Sequence, residues 1–266
     1  MQKKTKIKLW IAGGLLVALL VLLAALIVNG LSKGGDSKDE ELDMPHEYTY
    51  GTSVATNGME LHYLLTRPSN IGLATIRNNV VAVPYYGING GFFYEDALLS
   101  IAIVNDIPVH KEAGQYGSGA TNAKYARGTL VWDGSLDKLS VQVVQQSSEL
   151  SVTDRSRFWA QGGISMSLDR NESWVEQSVM EAAPLPDNYC LRSAAVYDKE
   201  GNLYLVVSAT RGTLAEFRQA IVERIGDGQL VNGIFLDGDG SSQLRSREAK
   251  LSGDGRPVVQ MLRLIQ

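Results

Sequence analysis

Short apolar runs separated by Gly- and Asp-rich turns recur through residues 45–266, a rhythm that predicts strands more often than helices. Met59–Thr66, Asn79–Pro84, Gly128–Trp132, Leu139–Val144, Phe158–Gln161, Ser193–Tyr197, Leu203–Ser208, Gly233–Leu236 and Pro257–Ile265 are assigned as strands. Asp198-Lys-Glu-Gly201-Asn joins two of them as a hairpin loop. One stretch breaks the rhythm. Thr213 followed by Glu216 is a capping box, Leu214, Phe217, Ile221 and Ile225 then recur at helical spacing, and Gly226 supplies a stop. A second helix is assigned to Tyr94–Val104, and no internal repeat is visible. The sum is an α+β domain over residues 45–266, a strand-rich mixed sheet with a few packed helices.

The N-terminus follows another pattern. Lys3, Lys4, Lys6 and Lys8 precede an uncharged run of 20 residues, Leu9–Val28, about the length of a helix that crosses the hydrocarbon core. Such a run predicts one transmembrane helix that holds the chain in the cytoplasmic membrane. The lysines of residues 1–8 stay inside, and the C-terminal domain lies outside the cell. A cleaved signal peptide is the alternative, but its apolar region is shorter, about 7–15 residues, and ends at a small-x-small site. Residues 29–44 are Gly/Ser-rich and then acidic, which reads as a flexible stalk.

Charge narrows the functions. Formal net charge is −4, yet residues 1–35 hold five Lys and no acid, leaving 20 basic and 29 acidic side chains beyond them. An acidic body lacks the electrostatic footprint of nucleic-acid binding. The one cysteine, Cys190, excludes an internal disulfide and a Cys-based zinc cage, and His46, His62 and His110 are too scattered for a paired-His zinc site. Gly117-Ser-Gly119-Ala-Thr-Asn122 only grazes a dinucleotide fingerprint and reads as a mobile loop. No metal and no cofactor are expected.

Three segments combine glycine with polar groups. In Asn89-Gly90-Gly91-Phe92-Phe93 the glycines let backbone approach a ligand and aim N–H groups at an anion, or they simply make a tight turn. Arg192 opens an apolar strand, and Arg211 precedes the capped helix; each either pairs locally or clamps an anion. Leu236-Asp237-Gly-Asp239-Gly-Ser241-Ser242 ends an apolar strand in acids, the usual way to present a carboxylate at a sheet edge. Asp237, Asp239, Ser241 and Glu248 also fall at EF-hand ligand positions, but Ser242 stands where that loop needs glycine. A looser site for a divalent cation such as calcium beside Asp237 and Asp239 stays open.

Taken in order, Asn89-Gly-Gly-Phe-Phe93, Arg192-Ser-Ala, the capped Gly212-Thr-Leu helix, Leu236-Asp-Gly-Asp-Gly-Ser-Ser242 and Arg256-Pro-Val258 resemble the phosphodiester glycosidase family, from about residue 57 onward. The family usually has glycine where this chain has Asp239. The resemblance implies a hydrolase that cleaves the glycosidic bond of a sugar-1-phosphodiester, here in a cell-envelope or exopolysaccharide glycan. Such a cleavage needs a carboxylate for the oxocarbenium-like carbon: Asp237 is the choice, and the resemblance carries over to it, while Asp239 and Glu95, to which it does not, are the candidates for a second carboxylate. Phosphate-holding groups would come from Asn89, Gly90, Gly91, Arg192, Arg211, Ser241 and Ser242. The leaving phosphate ester is already stable as an anion, so cations matter more than the general acid of ordinary glycoside cleavage. Two other readings stand: a phosphoglycan-binding envelope protein without activity, and a phosphodiesterase that cuts the P–O bond.

Overall fold

A computed structural model describes residues 44–266, and residues 45–266 make one compact unit. The expected tail, transmembrane segment 9–28 and nearly all of the stalk lie outside the described residues. Among the described residues no helix is long and apolar enough to cross a membrane.

Among the described residues strands dominate, in three larger sheets and one small hairpin, with two α-helices. The largest sheet has six strands in the order Thr49–Val54, Glu60–Thr66, Leu203–Ser208, Ser193–Asp198, Leu230–Phe235 and Ile164–Ser165. Its two middle strands, Ser193–Asp198 and Leu203–Ser208, are buried at every position. That explains their unbroken apolar runs, since a strand covered on both faces has no polar side to alternate with. The turn between them is held by Asp198, whose Oδ1 accepts the N–H groups of Glu200 (2.9 Å) and Asn202 (3.0 Å).

Helix α1 spans Trp174–Met180 and helix α2 spans Leu214–Arg224. The capping box at α2 forms as the sequence dictates: Thr213 N donates to Glu216 Oε2 at 2.8 Å and Glu216 N donates to Thr213 Oγ1 at 3.2 Å. Leu214, Phe217, Ile221 and Ile225 then press on the large sheet beside Val196, Val206 and Phe235. Gly226 follows at φ 68°, a conformation open to glycine at little cost.

The second sheet runs Lys138–Val144, Arg127–Asp133, Phe158–Gly162, Ala102–Val104 and Ile107–Pro108, over a core that includes Ile101, Ile103, Val131 and Phe158. The third runs Lys250–Leu251, Leu244–Arg245, Gly87–Asn89, Val258–Leu264 and Ile71–Asn78.

Several expectations are corrected. The strand pairings are antiparallel throughout the described residues, so the sheets are not mixed. Tyr94–Val104 is no helix. Glu95 takes φ 51° in a tight turn between Phe93–Tyr94 and Ala97–Leu98, and Ala102–Val104 then joins the second sheet. Asn79–Pro84 is a short 3-10 turn, Val80–Ala82, because the Asn79 side chain accepts Val81 N at 3.1 Å and starts a coil. Strands Thr49–Val54 and Ile71–Asn78 and helix α1 went unforeseen. Segment 117–122 is irregular yet pinned: buried Asn122 accepts Ile101 N at 3.0 Å and donates to Val144 O at 2.8 Å.

Candidate active site

Strand Leu230–Phe235 delivers the central acid. Ile234, Phe235 and Leu236 are buried, and Leu236 N donates to Ser193 O at 2.8 Å, which continues the sheet by one more bond. Asp237 is the first residue to emerge. Its backbone is gripped by the segment expected to bind phosphate: Asp237 N donates to Gly90 O at 3.2 Å, and Asn89 Nδ2 donates to Asp237 O at 2.8 Å. Asn89 Oδ1 accepts Ser193 Oγ (2.8 Å) and Gln243 N (3.1 Å). Asn89 is therefore a buried bracket that joins three chain segments behind the site, with its amide consumed.

Gly90 and Gly91 do not aim free N–H groups at a ligand. Gly90 N donates to Gln260 O at 2.9 Å and Gly91 N to Gln260 Oε1 at 3.2 Å. A Cβ on Gly90 would fall on the buried Gln260 amide, and one on Gly91 would meet Ser100 and Gln161. These glycines permit close packing.

In front of the bracket lies a cleft of about 350 Å³, lined by Asp237, Asp239, Ser241, Arg192, Arg256 and Glu95 among others. That volume suits a small ligand. Asp237 is half-buried in the cleft wall, and burial pushes its carboxyl from 3.8 up to about 6. Hydrogen bonds from the Ser241 side chain and Gly238 N–H, and the pull of Arg256, act the other way but do not win.

Arg192 is buried in the wall of the same cleft. Its guanidinium donates to Gly212 O (3.2 Å), Leu185 O (2.8 Å) and Asn188 O (2.7 Å). Among the described residues no carboxylate forms an ion pair with it. Burial lowers its pKa, while the nearby Asp239 opposes that. A cation held by carbonyls alone leaves positive potential at the cleft wall, where an anion would be stabilised.

The remaining expected residues divide between the cleft lining and positions outside it. Arg211 does not line the cleft; its Nη1 pairs with Asp239 Oδ1 at 2.8 Å at the exposed rim. Asp239 is thus engaged, and it sits at φ 52°. Glu95 is exposed at the mouth, and Ser242 is buried away from the cleft. Glu248 turns away to accept Tyr48 Oη at 2.9 Å, so the EF-hand register does not assemble. Among the described residues no three His, Cys, Asp or Glu side chains converge to hold a metal.

Arg256 and Tyr94 are among the cleft residues that escaped the sequence reading. Arg256 lies in the motif Arg256-Pro-Val258, and that position was the available signal. Tyr94 carried none.

The architecture is one that a glycosidase catalytic domain also adopts. The particular solved structure is the catalytic domain of zebrafish N-acetylglucosamine-1-phosphodiester alpha-N-acetylglucosaminidase, auto-inhibited by its pro-peptide. It matches with a TM-score of 0.57 and 15% identity, over 82% of this chain and 82% of that one. At that identity the likeness concerns the fold. A hypothetical protein from Synechocystis (TM-score 0.39, 13% identity) is matched over 81% of this chain and 61% of that one. An exported protein from Burkholderia pseudomallei (0.37, 14%) is matched over 84% and 58%. No family model and no curated protein matches the sequence.

Proposed function

We propose that this protein is a hydrolase that cleaves the glycosidic bond of a sugar-1-phosphodiester in an envelope or exopolysaccharide glycan. In this proposal residues 9–28 hold it at the outer face of the membrane. The observation that carries the reading is that one cleft holds both Asp237, a carboxyl raised to about 6, and Arg192, a buried cation with no ion pair among the described residues. Fold likeness to a domain that acts on such a phosphodiester supports the same class.

The chemistry follows from the charges. The bond between the anomeric carbon and the bridging oxygen breaks, and its electron pair leaves on the phosphate monoester. Arg192 stabilises that anion, with the Asp254-bound Arg256 adding to the positive wall of the cleft, and this stabilisation replaces much of what an acid catalyst would supply. Ionised Asp237 either attacks the anomeric carbon or takes the proton of the attacking water. Methyl α-N-acetylglucosamine 1-phosphate in oxygen-18 water tests the scheme. Free sugar with unlabelled methyl phosphate supports it. Label in a phosphate product means P–O cleavage, and no turnover means a binding protein.

A further inference from the structure

The cleft does not end at Tyr94. On the other side of that ring lies a shallower groove of about 770 Å³, lined by Tyr94, Tyr116, Lys124, Tyr125, Gln145 and Gln146 among others. Tyr94 borders both spaces. The tyrosines are 64%, 71% and 44% exposed in chain order (Tyr94, Tyr116, Tyr125), so none of the three rings belongs to a core. Among the described residues their hydroxyls have no hydrogen-bond partner, and Lys124 has no ion pair.

The floor under these rings is rigid. Asn122 is fully buried and tied to Ile101, Thr129 and Val144. Arg127 stands between Tyr125, at 5.6 Å, and Phe92, at 5.2 Å, and Phe92 lines the cleft itself. The Arg127 guanidinium is anchored on Glu181 O at 3.0 Å. A single exposed aromatic is ordinary, but three around one groove on a fixed floor define a recognition surface. Tyrosine offers broad, stiff contact area with a polar tip at low entropic cost. The exposed Gln145 and Gln146 add donors and acceptors, and Lys124 adds a cation. Flat apolar faces bordered by hydrogen-bonding groups match a pyranose, whose C–H faces are apolar and whose rim is hydroxyl. An unpaired lysine among them matches a further phosphate. A protein interface would instead place a desolvated apolar centre here.

We infer that this groove is a second binding site, for sugar units that continue from the phosphodiester held in the Asp237 cleft, so that the substrate is a phosphate-linked glycan chain. The inference rests on the proposed reading of the cleft, and the two can fail separately.

The test uses the full-length protein, with Tyr116→Ala and Lys124→Ala against Tyr116→Phe, which keeps the ring. The probes are methyl α-N-acetylglucosamine 1-phosphate and the linear polymer of α-N-acetylglucosamine 1-phosphate joined through O4. Binding of the polymer is measured in an Asp237→Asn background, where cleavage does not interfere. Tyr116→Ala should weaken polymer binding about tenfold, as loss of one aromatic anchor does, and Tyr116→Phe should bind as the parent does. Turnover of the methyl ester should be unchanged in both. Polymer binding indifferent to Tyr116 and Lys124, with the methyl ester still cleaved, overturns the groove and leaves the cleft reading intact. Polymer binding lost with Tyr116→Ala, in a protein that cleaves neither probe, upholds the groove and overturns the cleft reading.

Discussion

Replacing Asp237 with Asn should abolish turnover and make the protein more stable, an unusual combination that the electrostatics require. The carboxyl rises from 3.8 to about 6 on folding. Each unit corresponds to 1.36 kcal/mol, so above pH 6 the ionised side chain destabilises the native state by about 3 kcal/mol relative to a neutral one. The sign is that of a raised acid: the folded state binds the extra proton between 3.8 and 6, so stability falls as pH rises through that window. Asparagine stays neutral and keeps an oxygen to accept from Ser241 and Gly238. The gain should therefore be about 3 kcal/mol at pH 8 and about 0.5 kcal/mol at pH 4. For a domain of this size that is about 6–12 °C of melting temperature at pH 8 and about 1–2 °C at pH 4. Thermal unfolding of both proteins at the two pH values measures it. A variant that melts lower than the parent at pH 8, or whose gain ignores pH, refutes the burial argument.

Turnover of a sugar-1-phosphodiester should fall as pH drops through about 6, where Asp237 takes up its proton; a rate flat from pH 8 to pH 5 would show that another group acts. Asp239→Gly should leave melting within about 1 kcal/mol of the parent and keep or raise activity. It relieves a residue held at φ 52° while losing a rim ion pair of small worth; a large loss of stability would contradict that balance. Gly90→Ala should destabilise by about 1–3 kcal/mol, because its methyl group has to displace the Gln260 amide; unfolding in denaturant at unchanged slope gives the number. Protease added to intact spheroplasts should remove residues 45–266, and protection of that part would place it inside the cell.

What could be read from the chain depended on how local the cause was. The α2 cap and the Asp198 turn are decided within four residues, so residue types suffice. The buried pair Ser193–Asp198 and Leu203–Ser208 declares itself by apolar runs. Strand Thr49–Val54 is an exposed edge of polar residues, and pairs of strands only two residues long, as at Phe93–Tyr94, hold no period at all. At the site the same rule holds. That Asn89, Arg192 and Asp237 belong to one region is what the family resemblance of their motifs implied, but the task of each depends on distant partners. Gln260 takes the Gly90 and Gly91 N–H groups from 169 or more residues away, and nothing near the glycines announces it. Arg211 was expected at the phosphate because nothing local shows that Asp239 would claim it.

The third sheet has a consequence for the order in which the chain becomes a protein. Strand Val258–Leu264 lies between Gly87–Asn89 and Ile71–Asn78, so two segments made early have no common neighbour until one that is far later in the chain arrives. Asn89 waits nearly as long for Asp237 and Gln243. Closure over such separations is slow, and a growing chain holds its half-built sheet open until Val258–Leu264 has been made. Chains halted before Val258 should accordingly be cut by low protease at residues 71–89, while completed chains resist there.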